Sequence, residues 1–339
     1  MDMTSKLLSI TVRILLSAVT CTFAIHSHAQ SQPPESKPSS SPQATAQESF
    51  ATPEKAARAL IKAAGEYDVS ALLRIFGPHG EDLVSSADPV RDKSNALAFA
   101  EKARQKQSVL IDPVRPSRAI LMVGNDKWPV PIPIVKRGGK WFFDSKAGRE
   151  EILRRRIGAN ELDAIQVCRG FVEAQENYAT QQHDGINQYA QKIISSPGKQ
   201  DGLYWQNADG TPGGPISAPV ARAIAEGYST DKPTVYHGYY FKILKGQGPA
   251  APLGRIDYVI EGVMIGGFAL VAVPAEYRIT GVKTFIVSNY GVVYEKDLGL
   301  NSLEIVRNME LYNPDKTWRV TNDRWPETAL TATGSADGR

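Results

Sequence analysis

The stretch YHGYYFKIL at residues 236–244 carries side chains that could do acid–base chemistry, since His237 stands there among three tyrosines. Histidine is the side chain whose ordinary pKa lies nearest to neutrality. A general base at His237 with Tyr239 beside it would fit a hydrolase, which also needs a nucleophile and a carboxylate partner. No spacing of residues in the sequence identifies a nucleophile or a carboxylate partner for His237. The structural alternative is that His237, Tyr239, Phe241 and Ile243 share one strand face and pack against a helix.

Cys168 is the other candidate nucleophile, because it is the one cysteine that remains after removal of the predicted N-terminal signal described below. A reactive thiol needs exposure and a nearby base. Cys168 instead follows a helical apolar pattern with Ile165, Phe171 and Val172. Cysteine in such a pattern commonly packs as a small hydrophobe. The pattern therefore favours a core position and leaves the catalytic role as the alternative.

Known metal and cofactor motifs do not occur in the chain. It has no HExxH, paired-cysteine, GxSxG, phosphate-loop or dinucleotide pattern. Asp184 and Asn187 in QHDGIN offer oxygen ligands beside a glycine, which weakly resembles a calcium loop. A full calcium site needs about six to eight oxygens. A loop that ends a helix is the alternative, and we expect no cofactor and no metal.

Aromatic side chains form a second class of candidates, for binding a ligand or partner. Trp128 and Trp205 lie in loops rich in proline and glycine. Such rings either fill a core or stay exposed to contact a partner or a sugar. Tyr236 and Tyr240 point away from the His237 face of the strand, which places them on the opposite side.

The charge pattern excludes a nucleic-acid partner. The chain has 39 Lys and Arg against 36 Asp and Glu, a formal charge of +3, with both signs interspersed. Arg154, Arg155 and Arg156 are the tightest basic cluster. They predict a solvated helix face rather than a phosphate contact.

The first 29 residues predict export. Lys6 and Arg13 precede an apolar run over residues 14–25, and Ala29 closes a small-residue cleavage pattern. The run is too short for a membrane span, which needs about 20 residues, and fits a signal peptide. We expect cleavage after Ala29, a periplasmic or secreted protein, and no stable membrane span after removal of the signal. The sequence leaves open whether Cys21 is a lipidation site.

Composition and hydrophobic period divide the rest of the chain. Residues 30–48 and 326–339 are poor in large apolar side chains, which predicts a disordered linker and tail. Residues 49–147 begin with helices, the first of which starts at Thr52-Pro53, and continue as short strands such as RAILMV (118–123), with a hairpin turn at Gly138-Gly139. This order predicts an α+β domain. Residues 148–325 predict a long helix packed on an antiparallel sheet. The element order of the first domain resembles the cone-shaped nuclear-transport-factor-2-like fold.

Several long motifs resemble a bacterial exported family catalogued as domain of unknown function 2950. They are DGLYW (201–205), YHGYYFKIL (236–244), GGFALVAVPAEY (266–277), TFIVSNYGVVYEKDLG (284–299), GNDKWPVPIPIVKRGGKWFFD (124–144) and IGANELDAIQVCR (157–169). The resemblance covers approximately residues 49–320. It implies an exported bacterial protein with no agreed activity, and it carries over no catalytic residue.

Residues 158–298 also resemble the globular head of type IV pilins and type II secretion pseudopilins, in which a helix packs on a small antiparallel sheet. Pilins begin with a long apolar helix, and here Arg154–Arg156 stand upstream instead. That departure puts assembly into a pilus in doubt. The sequence therefore favours a non-enzymatic envelope protein that binds an unknown ligand or partner. An envelope hydrolase with a site near His237 or Cys168, and an accessory to a secretion or pilus system, are the alternatives.

Overall fold

The structure is a computed structural model that describes residues 46–78, 80–85, 89–216 and 238–322, without the side chain of Arg91. The predicted signal peptide, the predicted tail, Tyr236 and His237 lie outside the described residues. Of the predicted linker, the last three residues are described. Gln47 Nε2 donates to the carbonyl oxygens of Ile75 (3.0 Å) and Phe143 (2.7 Å), so packing begins inside that segment.

Six helices are described, and their ends follow ordinary capping chemistry. Thr52 Oγ1 accepts a hydrogen bond from Lys55 N at 3.2 Å with Pro53 at the first helical position, as the sequence predicts. The short third and sixth helices have no counterpart in the sequence analysis. The helices are α1 (Pro53–Glu66), α2 (Val69–Phe76), α3 (Glu81–Val84), α4 (Pro89–Gln105), α5 (Ser145–Ala179) and α6 (Ser302–Arg307).

Twenty strands are described, many of only two residues. Those before α5 are β1 (Gln107–Ile111), β2 (Arg118–Val123), β3 (Trp128–Pro129), β4 (Ile134–Arg137) and β5 (Lys140–Phe143). Those between α5 and the gap at 217–237 are β6 (Gln182–His183), β7 (Ile186–Asn187), β8 (Lys192–Ile194), β9 (Gly202–Gln206) and β10 (Pro212–Gly213). The remainder are β11 (Tyr239–Leu244), β12 (Gly246–Gln247), β13 (Ile256–Asp257), β14 (Val259–Ile260), β15 (Val263–Met264), β16 (Ala269–Pro274), β17 (Thr284–Ser288), β18 (Tyr294–Lys296), β19 (Leu311–Tyr312) and β20 (Arg319–Val320).

The first sheet is antiparallel and packs against the helices that precede it. Its order is β1-β2-β4-β5, with β3 paired to β2. Alternation along β2 buries Ala119, Leu121 and Val123 on the helix side, where β2 packs against α4 in a core that also includes residues of α1. The predicted hairpin between β4 and β5 is confirmed, with Gly138 and Gly139 at φ of 56° and 79°.

The second sheet has the order β11-β16-β17-β18-β20 and is covered on both faces. Every residue of β16 and β17 is buried, which fits central strands between two layers. On one face α5 packs against β16 and β17. On the other, Lys242 Nζ donates to the carbonyl oxygens of Arg307 (2.9 Å) and Met309 (2.8 Å) at the end of α6.

Small sheets surround this core. Strand β8 pairs parallel with β9, which pairs with β10, while β12 lies between β13 and β19. The hairpins β6–β7 and β14–β15 are separate two-stranded units.

The fold class is α+β, as the sequence predicts, with two hydrophobic cores that share one helix. The start of α5 belongs to the first core, where Ser145 Oγ donates to the Phe76 carbonyl oxygen at 2.6 Å. From Ala164 onward the buried residues of α5 lie in the second core. In the described ranges, no helix combines the length and the apolar character that crossing a bilayer requires.

Candidate functional site

The described part of the tyrosine-rich strand is buried scaffold. Tyr239 is fully buried, and its hydroxyl donates to the Lys283 carbonyl oxygen at 2.8 Å. Burial, with the charge of Glu161 nearby, raises the pKa of Tyr239 far above its ordinary value. Tyr240, predicted on the outer face as a binding residue, is also buried because the second layer covers that face. His237 and Tyr236 lie outside the described residues, so their roles stay predictions.

Cys168 lies in the second core with no exposed surface. Burial raises the pKa of the Cys168 thiol to about 12, against a small opposing effect of Arg169. A protonated, enclosed thiol is a poor nucleophile. This position supports the core role that the helical pattern predicts.

The two candidate tryptophans lie apart from each other and in different surroundings. Trp128 is 39% exposed, with the Arg155 guanidinium carbon 5.3 Å and Lys102 Nζ 5.9 Å from the ring centroid. Trp205 is half-buried on β9, and its Nε1 donates to Asn207 Oδ1 at 3.1 Å. The exposed Trp128 ring is therefore engaged by two cations.

The predicted calcium candidates form a tight hairpin turn instead of an open loop. Asp184 (φ 54°) and Gly185 (φ 80°) join β6 to β7, the Asp-Gly pattern of a two-residue turn. Asn187 Nδ2 donates to the Ala179 carbonyl oxygen at 2.8 Å and so caps the end of α5. Among the residues that the structure describes, no cluster of three or more His, Cys, Asp or Glu could hold a metal.

This hairpin borders a polar pocket formed by described residues. The pocket has a volume of about 600 Å³ and lies where the end of α5 meets the strands that follow it. It is lined by Tyr178, Gln182, His183, Asp184, Gln188, Tyr189, Gln191, Lys192, Gly198, Lys199, Gln200, Asp201 and Gly262. Asp184 is the one predicted site residue among them.

An aromatic pair forms one side of the pocket. The rings of His183 and Tyr178 stack in parallel, with centroids 3.6 Å apart and planes within 2°. His183 Nε2 lies 3.0 Å from the Tyr178 carbonyl oxygen. Because a carbonyl oxygen only accepts, Nε2 carries the hydrogen in this bond. The Tyr178 hydroxyl donates to the Gln200 carbonyl oxygen at 2.6 Å.

Lys192, Asp201 and the neighbouring Ser196 form a hydrogen-bonded cluster at the pocket. Lys192 Nζ lies 2.8 Å from Asp201 Oδ2 and donates to Ser196 Oγ at 2.6 Å. Asp201 also accepts from the backbone N of Ser196 at 2.6 Å and from its hydroxyl at 2.9 Å. Although partial burial opposes ionisation, the hydrogen bonds from Lys192 and Ser196 lower the pKa of Asp201 to about 2.

Glutamine amides hold the remaining wall in place. Gln175 is fully buried and exchanges two 2.8 Å hydrogen bonds with the backbone of Ala190. Gln188 Nε2 donates to the His183 carbonyl oxygen at 2.9 Å, and Gln191 Nε2 donates to that of Gly262 at 2.7 Å. Each of these two pocket amides keeps its carbonyl oxygen as an acceptor for a ligand.

Two titratable groups of this pocket, Asp201 and Tyr178, are each held in one protonation state near neutral pH. Asp201 stays ionised, while burial and the charges of Asp201 and Asp184 raise the pKa of Tyr178 to about 12. General acid–base catalysis is most efficient when the pKa of the catalytic group lies near the working pH. The arrangement offers hydrogen-bond donors and acceptors on a rigid frame, which suits binding.

Sequence reasoning missed most of this site. Lys192, Asp201 and His183 come from three segments that have no spacing pattern in common. The available signal was the composition of the loops SPGKQDGLYW and QQHDGIN, which are polar and contain glycine. Composition identifies loops, but it does not show which loops meet.

Comparison with known proteins gives a family and no relative of known role. The family model described as protein of unknown function (DUF2950) matches residues 47–321. No curated protein and no solved structure matches the chain. The resemblances to the nuclear-transport-factor-2-like fold and to pilin heads therefore stay predictions.

Proposed function

Because this chain belongs to the DUF2950 family of proteins of unknown function, we propose its role from its own residues. It is an exported envelope protein that binds a small polar ligand in the pocket at the end of α5 and releases it unchanged. The observation that carries the proposal is the pocket itself, a cavity of about 600 Å³ with an internally bonded polar lining.

The N-terminal sequence supports export. Lys6 and Arg13, the apolar run over residues 14–25 and the small residues before Gln30 fit a cleaved secretory signal. Export places the pocket outside the cytoplasm, in the periplasm or the medium. The bacterial origin in this proposal rests on the resemblance given above.

The lining supports a ligand rich in hydroxyl or amide groups. Gln182, Gln188, Gln191 and Gln200 contribute amide groups or backbone to the wall. Amides both donate and accept, as hydroxyl and amide groups of a ligand do. The frame is already fixed by the bonds of Gln175 and Asp201, so little ordering is needed on binding.

The protonation states support binding over hydrolysis. Tyr178 is held protonated and Asp201 ionised near neutrality, and the Cys168 thiol is buried. The hydrolase alternative then depends on His237. The role as an accessory to a secretion or pilus system stays an alternative that rests on the pilin resemblance alone.

The test is a ligand search with a variant that fills the pocket. Gly198 lines the pocket at φ 73°, with open space where a side chain would begin. Asparagine tolerates this backbone conformation, so Gly198→Asn adds bulk without breaking the turn. We expect sugars, amino sugars or amides from an envelope extract to raise the Tm of the mature wild-type protein and not that of Gly198→Asn.

Gly291→Asn is the matched control, because Gly291 has φ 72° and equally open space in the turn before β18, away from the pocket lining. Equal Tm shifts in all three proteins would refute the pocket as the binding site. Mass spectrometry should recover the compound unchanged. If the protein converts the compound, and His237→Gln abolishes this conversion without changing the Tm, the protein is an enzyme and the binding proposal is wrong.

A further inference from the structure

A second groove lies between the first sheet and α5, at a different place from the pocket described above. Its volume is about 630 Å³. One wall is the sheet face that carries Arg118, Val135 and Arg137. Arg118 and Val135 are paired across β2 and β4, so their side chains lie beside each other, opposite the buried face of Ala119 and Ile134.

The other wall is one stripe of α5. Ala147, Glu150, Glu151 and Arg154 line the groove at the i, i+3, i+4 and i+7 spacing of a single helix face. Arg115 and Ser117, from the turn between β1 and β2, also line it. Pro133, Val135 and Ala147 give the groove an apolar part.

Arg118 is the side chain that points to a ligand. It is 29% exposed, and among the described residues its one charged contact is Asp112 Oδ2 at 3.7 Å from Nη1, beyond hydrogen-bond distance. Asp112 already accepts from the backbone N of Val114 (3.0 Å) and of Arg115 (3.1 Å), and from Arg115 Nε (3.1 Å). Within the described part of the chain, the Arg118 guanidinium therefore donates no hydrogen bond to protein, and its donors face solvent and the groove.

The other charges of the groove are largely paired with one another. Arg137 Nη2 donates to Asp144 Oδ2 at 3.0 Å, and Arg154 Nη2 lies 2.8 Å from Glu151 Oε2. Glu150 lines the α5 wall as an exposed carboxylate. Counting all lining residues, five Lys or Arg stand against three Asp or Glu, so the groove has a surplus of positive charge.

We infer that this groove binds an oxyanion, a carboxylate or a phosphate on a short apolar group, with Arg118 as its principal contact. A guanidinium presents a planar fork that matches both anions, and a half-buried fork binds more strongly than an exposed one. The apolar part of the lining accommodates the group that bears the anion.

The experiment uses the mature full-length chain and two probes, inorganic phosphate and butyrate, with the uncharged butyramide as the matched control ligand. Binding is followed by NMR of the Arg Nε–H signals during titration. We expect saturable shifts with phosphate, butyrate or both, on the order of millimolar affinity for such small ligands. Tighter binding of phosphate would identify a phosphate group as the natural anion, and tighter binding of butyrate would identify a carboxylate. Butyramide should produce no saturable shift.

Three variants assign the binding to this groove. Arg118→Gln should weaken binding by about tenfold or more, since it removes a charge-assisted hydrogen bond. Arg58→Gln, at an exposed arginine of α1, makes the same change in net charge and should leave the affinity within about twofold. Glu150→Gln should tighten binding by about twofold, because it removes a like charge from the wall.

Equal weakening by Arg118→Gln and Arg58→Gln would mean that net charge alone attracts the anion, and would overturn the inference. Weaker binding of the two probes in Glu150→Gln would also overturn it, because removal of a like charge from the wall cannot weaken an anion that Arg118 holds there. Absence of saturation with both probes in the wild type would overturn it as well. Circular dichroism of each variant checks that the fold is retained.

Discussion

At the scale of single residues, Cys168 and Asp201 are each held in one protonation state by their neighbours. Burial keeps Cys168 protonated, and hydrogen bonds keep Asp201 ionised. The same side chains in an open cleft would be candidates for catalysis. Here burial makes Cys168 a core residue, and hydrogen bonding makes Asp201 a structural anchor of the pocket.

Asp201 gives a pH-dependent prediction. Its pKa falls from an ordinary value of about 3.9 to about 2 on folding, so it stabilises the protein fully above about pH 4 and loses this effect as pH falls towards 2. Asp201→Asn should cost about 1–2 kcal/mol at pH 7, after allowance for solvent screening. Urea unfolding at a series of pH values should show the two proteins converging below about pH 4.

The matched control for this prediction is Asp257→Asn, at an exposed aspartate of β13. Its difference from the wild type should stay within about 0.5 kcal/mol across the series. A cost of Asp201→Asn that does not change with pH would show that lost packing, not lost charge, is responsible.

At the scale of elements, the pocket depends on how α5 is tied to the chain that follows it. Helix α5 ends at Ala179, and the hairpin β6–β7 turns back at once so that His183 stacks on Tyr178. The next segment is held by the two bonds between Gln175 and Ala190. The pocket wall with the ligand-facing groups is thus positioned by the end of α5, the two-residue turn of β6–β7 and the buried amide of Gln175.

The variant Gln175→Met tests how much the two hydrogen bonds between Gln175 and Ala190 stabilise the fold. Methionine has a similar volume but leaves the buried N–H and C=O of Ala190 without partners, so we expect a loss of about 2–4 kcal/mol. Chemical denaturation measures the loss. Gln182→Met is the control, because Gln182 is exposed and should cost less than about 0.5 kcal/mol. Similar costs for the two variants would show that the Gln175 bonds do not stabilise the fold beyond an ordinary surface contact.

At the scale of the whole molecule, two cores share α5. The first contains Ser145 and Gly148 against neighbours such as Phe76 and Ile132, and the second begins at Ala164. The predicted boundary between residues 147 and 148 falls just after the first turn of this helix. It leaves Gly148, which packs against Ile132 of the first core, in the second unit, and it removes Asp144, whose Oδ1 accepts from Ala147 N at 3.1 Å as the helix cap.

A fragment of residues 148–325 tests whether the second core folds alone. We expect a cooperative unfolding transition with the α5 helix frayed before Asn160, because Asn160 and Glu161 bond to the backbone of Thr280 and Lys283 and the buried apolar residues from Ala164 onward lie in the second core. Circular dichroism and a urea titration provide the measurement, with the full-length mature chain as the reference. A fragment without a cooperative transition would contradict the boundary.

The sequence alone determined the features that depend on local pattern. Thr52-Pro53 predicts the start of α1, the apolar run RAILMV predicts β2, and Gly138-Gly139 predicts the turn between β4 and β5; all three are confirmed. The α+β class follows from the order of such elements, because helical and strand periods are properties of consecutive residues. The long motifs likewise identified the family, which the model match over residues 47–321 confirms.

Only the tertiary structure decided what lies on the second face of the sheet and which loops meet. Tyr240 looks like an outward residue by alternation, yet the second layer, whose short helix α6 the sequence did not indicate, covers its face. His183, Lys192 and Asp201 share a pocket, and Arg118 faces the stripe of α5 that carries Glu150. The physical reason is that burial and hydrogen bonding join residues far apart in the chain, so a local period carries no information about them.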